Sequence, residues 1–484
     1  MLKSCKLIIK DEVNIKFEGL EVSDRRRLEK KLKFFMSYAY HVPAYKLGRW
    51  DGCVSFFSVG GSTYLNLLDR ILPEIVDYHI DIEDRRPAHN FKFDAVNESS
   101  YSHIQWPEKH PAAGQPIMLR DYQVEVVNKF LTTPQCLQEI ATGAGKTLMT
   151  AVLSHSIEPY GRSIVIVPNK DLVVQTEADY RNMGLDVGVY FGDRKELGKT
   201  HTICTWQSLN IMEKRFRDGE TTMSIQEFAE DVVCVMVDEV HQAKADVLKK
   251  LLTGPFANVP IRWGLTGTIP KEDHELVSLN ASLGTVVNSL GAAELQEKGV
   301  LANCEVNVLQ LQETAEYSNY QQELTYLVTD RQRLDYMAQL IQTLAQDGNT
   351  LVLVDRIKAG EGICERIPDA VFVSGTMKSK DRKEEYDEVS EADNKIIVAT
   401  YGVAAVGINI PRIFNLVLVE PGKSFVRVIQ SIGRGIRKAQ DKDFVQIWDI
   451  TSSAKFSKRH LTQRKKFYKE AQYPYNVQRI DYRK

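Results

Sequence analysis

The segment Ile140-Ala141-Thr142-Gly143-Ala144-Gly145-Lys146-Thr147 has the makings of a phosphate cradle. Its glycines let backbone N–H groups curl around an anion. The helix it opens, predicted over Leu148–His155, adds a partial positive charge at that end. Lys146 would reach the β- and γ-phosphates of a nucleoside triphosphate, and the Thr147 hydroxyl would bind Mg²⁺. Ile140 stands where the strict GxxxxGK[ST] pattern has its first glycine, so a plain Gly-rich turn stays open for this segment alone. About 90 residues downstream, Val235-Met236-Val237-Asp238-Glu239-Val240-His241 ends an apolar run in two adjacent carboxylates. Beyond the carboxyl end of a strand, Asp238 can hold Mg²⁺ and Glu239 can orient and deprotonate an attacking water. The plainer alternative is an acidic helix start, which the macrodipole favours. A third group is Gln430-Ser431-Ile432-Gly433-Arg434-Gly435-Ile436-Arg437. On a helix, Arg434 and Arg437 share a face and could stabilise charge on a γ-phosphate, or simply be solvated.

These groups need strands that end beside one another. Short β-branched runs recur at Ser163–Val167, Thr202–Thr205, Val232–Val237 and Arg262–Leu265. They resume at Thr350–Val354, Ala370–Ser374, Lys395–Ala399, Leu416–Val419 and Phe444–Asp449. Uninterrupted apolar runs with helical segments between them are the pattern of buried parallel strands. The expected fold is α/β: two tandem parallel-sheet domains after a small α+β N-terminal domain. The boundaries read as 1–90, a His- and Pro-bearing linker 91–116, domains at 117–305 and 306–452, and a basic helical tail 453–484.

At 484 residues, 43% hydrophobic and 26% charged, the chain is not fibrous or mostly disordered. A net charge of −2 leaves no global field for a polyanion, so basic surface must be local. The first fifty residues carry twelve Lys and Arg against six Asp and Glu. No run is long and apolar enough to span a membrane, and the N-terminus is too charged for a signal peptide. Seven cysteines without a CxxC read as reduced thiols, which fits a cytoplasmic protein, the host's cytoplasm if the chain is viral.

Taken together, these residues resemble a superfamily 2 helicase or translocase, and within it the bacteriophage recombination and repair helicases. Leu119-Arg120-Asp121-Tyr122-Gln123 resembles the adenine-reading Q-type motif. Val167-Pro168-Asn169-Lys170 opens a segment that resembles motif Ia. Leu265-Thr266-Gly267-Thr268 resembles motif III, and Val373-Ser374-Gly375 with Thr400–Pro411 resembles motifs IV and V. The resemblance covers about residues 117–450 and implies RecA-like domains flanking one ATP with Mg²⁺. It implies ATP contacts from Arg120, Gln123, Thr142, Gly143, Ala144, Gly145, Lys146, Thr147 and Gly407. It gives Asp238, Glu239, Gln430, Arg434 and Arg437 catalytic roles, and Thr266, Thr268 and His241 a coupling role. It implies an ATP-dependent DNA helicase acting on forks, four-way junctions, D-loops and R-loops, with RNA admitted inside hybrids. A duplex translocase without strand separation, or an RNA helicase, is the alternative. A monomer in solution is expected. Two departures stand out: Asn409 replaces the usual Asp of motif V, and motif II reads DEVH.

Nucleic-acid contacts are expected at Pro168, Asn169, Lys170, Thr205, Ser374, Gly375, Thr400 and Arg356. Trp206 is either a further contact or a packing residue. In the N-terminal region Arg49 and Trp50 suit duplex or junction binding, although Trp50 could equally fill a small core. The tail residues Arg459, Arg464, Lys465 and Lys466 form a second basic track, or a solvated face.

Overall fold

The computed structural model describes residues 3–107, 113–141, 144–168, 170–221, 223–240, 245–270, 272–298, 303–373, 392–401, 412–422, 444–470 and 473–483. The chain forms two compact units, Met1–Ile140 with Gly145–Ser289, and Ala141–Ala144 with Leu290–Lys484.

The first unit begins with a small four-stranded sheet. Lys3–Ile9 lies between Asn14–Glu18, antiparallel, and Tyr78–Asp84, parallel, with Ser62–Tyr64 beyond Asn14–Glu18. Its core of Leu7, Ile15, Phe17, Leu28, Phe56 and Phe57 also takes in Val277 and Ala281 of the helix Asp273–Leu283, so this sheet is packed on the following domain. The run Arg25-Arg26-Arg27 with Lys30 and Lys31 lies on a short basic helix. It spans Val22–Lys31, because Lys33–Phe35 pairs with Cys53–Ser55 instead. Local acids offset part of its charge: Lys31 lies 2.6 Å from Glu74 and Lys33 2.6 Å from Asp51.

The described part of 91–116 has no helix or strand, yet it is not loose. Phe91 and Phe93 stack with centroids 6.0 Å apart, and each meets Tyr160 edge-on. The Val96 N–H donates to Asn128 Oδ1 at 2.8 Å. The segment is a strap fixed by aromatic burial.

An eight-stranded sheet follows, in the order Arg194–Lys195, Val187–Phe191, His201–Thr205, Arg162–Val167, Val232–Asp238, Ile261–Thr266, Gln135–Ile140, Val286–Leu290. Its central pairs are parallel, and its strands carry fully buried Ile164, Cys204, Val235 and Leu137. This order is what matters for chemistry. It puts the carboxyl ends of Gln135–Ile140, Ile261–Thr266 and Val232–Asp238 side by side, although they are far apart in sequence.

The second unit holds a seven-stranded parallel sheet: Val371–Val373, Ile396–Thr400, Thr350–Val354, Asn415–Val419, Phe444–Ser452, Asn303–Leu311, Tyr475–Ile480. Its core gathers Val352, Val398, Val417 and Ile450 against Met337 and Ile341 of the helix Arg331–Ala345. The expected α/β class with RecA-like parallel sheets is what the chain adopts. The C-terminal stretch does more than trail. Its helix Lys455–Glu470 buries His460, Leu461, Arg464 and Tyr468, and Tyr475–Ile480 adds the edge strand beside Asn303–Leu311. Arg464 therefore belongs to no exposed basic track. It pairs with the buried Asp449 through two bonds of 2.8 and 3.0 Å and donates to the Pro421 carbonyl at 2.6 Å. A buried guanidinium is held there by one hydrogen bond from each of its three nitrogens, two of them to a carboxylate.

Candidate nucleotide-binding site

Gly145 caps the helix Lys146–Ile157 in the left-handed conformation, φ 83°. Glycine is needed there twice over. An L side chain is strained at that φ, and an added Cβ would sit 2.6 Å from Gln123 Nε2. Gln123 is buried, with Oε1 accepting the Arg120 N–H at 2.9 Å at the start of the helix Asp121–Thr132. The residue expected to read adenine is thus lodged against the turn expected to hold phosphate.

Lys146 comes next, its side chain 8% exposed. Its Nζ donates to the Ile140 carbonyl at 3.1 Å and lies 2.9 Å from Glu239 Oε1. Burial alone would depress this ammonium. The charges of Glu239 and Asp238 outweigh it and hold Lys146 above its ordinary value.

Asp238 ends the strand Val232–Asp238, and Glu239 turns out of it with φ 49°, a left-handed conformation for a non-glycine residue. That turn lets the Glu239 N–H donate to Asp238 Oδ1 at 2.8 Å. It also aims the two oxygens of Glu239 in different directions: Oε1 to Lys146, and Oε2 to the Gly267 N–H at 3.3 Å. Asp238 is pushed up to about 7, by burial first and by the adjacent Glu239 charge second, with Lys146 opposing. In the loop that follows the strand Ile261–Thr266, Thr266 Oγ1 donates to the Thr268 carbonyl at 2.8 Å and accepts the Thr268 N–H at 3.3 Å. Glu239 therefore joins the loop after one strand to the lysine after another.

Sequence reasoning passed over Glu139. Its Oε1 accepts the Ile269 N–H at 3.3 Å and its Oε2 accepts the Ser289 hydroxyl at 2.7 Å, so it pins the segment just beyond Thr268. The one available signal was a carboxylate directly before the Gly-rich turn, a position too common to single out.

The donor set fits a magnesium triphosphate. A buried cation, two adjacent carboxylates and the half-buried Thr147 converge at one helix N-terminus. Ala144 is buried. Thr142, Gly143, Asn169, His241, Ser374, Gly375, Gly407, Asn409, Gln430, Arg434 and Arg437 lie outside the described residues.

The expected nucleic-acid contacts are unequal. Lys170 is exposed at the start of the helix Lys170–Asn182. Pro168 is buried, its carbonyl accepting from Gln207 Nε2 at 3.1 Å. Thr205 is 6% exposed, and its hydroxyl is spent on capping the next helix at Ser208. Trp206 packs against the domain core, which favours its structural reading. In the second unit Arg356 follows the strand Thr350–Val354 and Thr400 ends its neighbour Ile396–Thr400, so both lie at one carboxyl edge, Arg356 donating to Gln321 Oε1. Arg49 is exposed, whereas Trp50 is half-buried, donating to the Cys53 carbonyl at 2.9 Å and lying edge-on to Tyr45. All seven cysteines are free, and no helix among the described residues is long and apolar enough to cross a membrane.

Residues 116–271 match the family described as type III restriction enzyme, res subunit, and residues 332–439 match the helicase conserved C-terminal domain. The ATP-dependent DNA helicase uvsW of Enterobacteria phage T4 is 24% identical over 460 residues, 88% of this chain and 86% of its own. That meets the expected likeness to a bacteriophage helicase. The DNA 3'-5' translocase XPB2 of Sulfurisphaera tokodaii is 26% identical over 251 residues, 49% of this chain and 52% of its own, so the match spans about half of that relative. Among solved structures, the ATP-dependent type ISP restriction-modification enzyme LlaBIII bound to DNA aligns over 78% of this chain and 33% of its own, at 14% identity and a TM-score of 0.57. That likeness is one of fold.

Proposed function

With both domains of a superfamily 2 helicase in one chain, the protein is a nucleic-acid-dependent ATPase, and we propose that it unwinds or branch-migrates branched DNA: forks, four-way junctions, D-loops and R-loops. The setting would be recombination, repair and replication in the cytoplasm, the host's if the chain is viral, with the protein acting as a monomer. RNA would enter only within hybrids.

The observation that carries this reading is the double engagement of Glu239, by Lys146 on one oxygen and by Gly267 on the other. Lys146 would hold the β- and γ-phosphates, Thr147 and Asp238 would hold Mg²⁺, and Gln123 with Arg120 would flank the base. Bound MgATP supplies the free energy of phosphoanhydride hydrolysis. Turning Lys146 Nζ toward a phosphate frees Glu239 Oε1 to take the proton of the attacking water. The Gly267 N–H keeps its hold on the other oxygen, so the Thr266–Thr268 loop feels each change at Glu239. Gln430, Arg434 and Arg437 would stabilise charge on the transferred phosphoryl group. Lys170, Arg356, Thr400 and Arg49 would contact the polymer through its phosphates, which fixes position without reading sequence. The likeness to a protein named as a translocase supports a second reading, movement along duplex without strand separation.

Glu239→Gln tests this arrangement. It should keep nucleotide affinity and lower DNA-stimulated turnover about 10²–10⁴-fold, the usual contribution of a positioned base. Turnover that stayed within a few-fold of the parent would remove Glu239 from the reaction.

A further inference from the structure

The carboxyl edge of the second unit's sheet is only half occupied by the nucleic-acid positions named above. Arg356 follows the strand Thr350–Val354, and Thr400 ends the strand Ile396–Thr400. Along the same edge, past Asn415–Val419, the strands Phe444–Ser452 and Asn303–Leu311 end beside each other. There a cavity of about 510 Å³ opens between the loop Glu313–Glu316 and the first turns of the helix Lys455–Glu470.

The helical wall is Lys455, Lys458, Arg459 and Thr462. That spacing puts all four on one helical face. All four are exposed, and among the described residues none of the three cations has an ion-pair partner. Lys455 Nζ and Arg459 Cζ lie 5.7 and 5.9 Å from the ring centroid of Phe456, which steadies two long side chains. The opposite wall repels an anion less than its composition suggests. Glu313 is turned inward, to Arg333 at 2.8 Å, the Tyr482 hydroxyl at 2.8 Å and Arg483 at 3.1 Å. Of the two carboxylates on that rim, only Glu316 stands exposed. The helix terminus itself is not the site: its Phe456 and Ser457 N–H groups donate to the buried Glu323 carboxylate, at 3.0 and 2.8 Å. What faces outward is a row of side chains. Lys455 to Arg459 spans about 6 Å along the axis, a line and not a cup, which suits a linear polyanion better than a compact ion.

We propose that Lys455, Lys458 and Arg459 form a second sugar–phosphate backbone site, which continues the nucleic-acid track of the second domain along its carboxyl edge. The proposal rests on the reading of the chain as a nucleic-acid-dependent ATPase. Phosphates are held here by charge, with no base readout, since the Thr462 hydroxyl already donates to the Lys458 carbonyl at 3.1 Å. The helix is thereby divided in function: its inner face, with Arg464 on Asp449, fixes the fold, and its first outward turns hold the polymer.

The test is affinity for a labelled single strand and a labelled duplex, measured with the full chain between about 50 and 200 mM salt. The Lys455→Ala/Lys458→Ala/Arg459→Ala variant should bind at least one form about tenfold more weakly. Its dependence of log affinity on log salt should be shallower by about two for a single strand. Melting temperature and ATPase without nucleic acid should be unchanged. A far-end triple on the same helix, Lys465→Ala/Lys466→Ala/Lys469→Ala, removes equal charge and should have little effect. Unchanged affinity and slope in the first variant overturns the site, and so does an equal loss in the second, which would reduce the effect to bulk charge. A parent protein that neither binds nor responds to any nucleic acid would overturn the underlying reading as well.

Discussion

Glu239 shows how much one residue can be asked to do. Its left-handed backbone spends conformational energy, of order 1–3 kcal/mol, to send its two oxygens to two loops. The neighbouring strain at Gly145 is avoided by having no side chain. Gly145→Ala should therefore bring both penalties at once, the unfavourable φ and the 2.6 Å approach to Gln123. We expect a loss of about 1–2 kcal/mol of stability and a higher KM for ATP. Adding Gln123→Ala should restore part of the stability, since it removes the clash but not the φ. Thermal melts of the two variants with nucleotide titrations check this, and full tolerance of Gly145→Ala would show that the turn is not held by Gln123. Lys146, Asp238 and Glu239 were legible in the sequence because phosphate and Mg²⁺ chemistry allows few residue types in few orders. Glu139 was not, because a carboxylate that pins a loop by two hydrogen bonds looks like any other glutamate until the loop is in place.

Among the elements, the buried parallel strands were the easiest to read. Thr350–Val354 and Val232–Asp238 are apolar on both faces, so periodicity is unnecessary to find them. Tyr475–Ile480 escaped because an edge strand is half solvated and its QRI ending looks like surface. Arg464 escaped for the opposite reason: charge on a helix reads as exposed, and only the fold supplies Asp449. Behind the helix Lys146–Ile157 a buried polar group calls for the same caution. Ser154 and Tyr180 bond at 2.7 Å, and Ser163 shares a 2.7 Å bond with His201 Nδ1, whose other nitrogen lies 3.1 Å from Glu158. Burial holds the His201 imidazole below its usual 6.5, against the pull of Glu158. A base whose folded pKa is depressed adds stability above its unfolded value and loses it as pH falls through that range. His201→Gln should therefore be less stable than the parent at pH 7.5, with a gap in melting temperature that narrows toward pH 5.5. A gap independent of pH would show that His201 does not titrate on unfolding.

At the scale of the whole molecule, a net charge of −2 means that any grip on a polyanion is local, and we propose it at Lys170, Arg356, Lys458 and Arg459. Local grips suit a motor, which must hold and release without being trapped by its own field. In the proposed function, the link that starts at the nucleotide runs from Lys146 through Glu239 to Gly267 and the loop that follows it. The most direct test of that link is the steady-state ATPase rate, compared at one fixed salt concentration without nucleic acid and with single-stranded DNA, duplex, a four-way junction and RNA. Hydrolysis should rise on adding DNA and rise most with the junction; a rate that no nucleic acid changes would contradict the account.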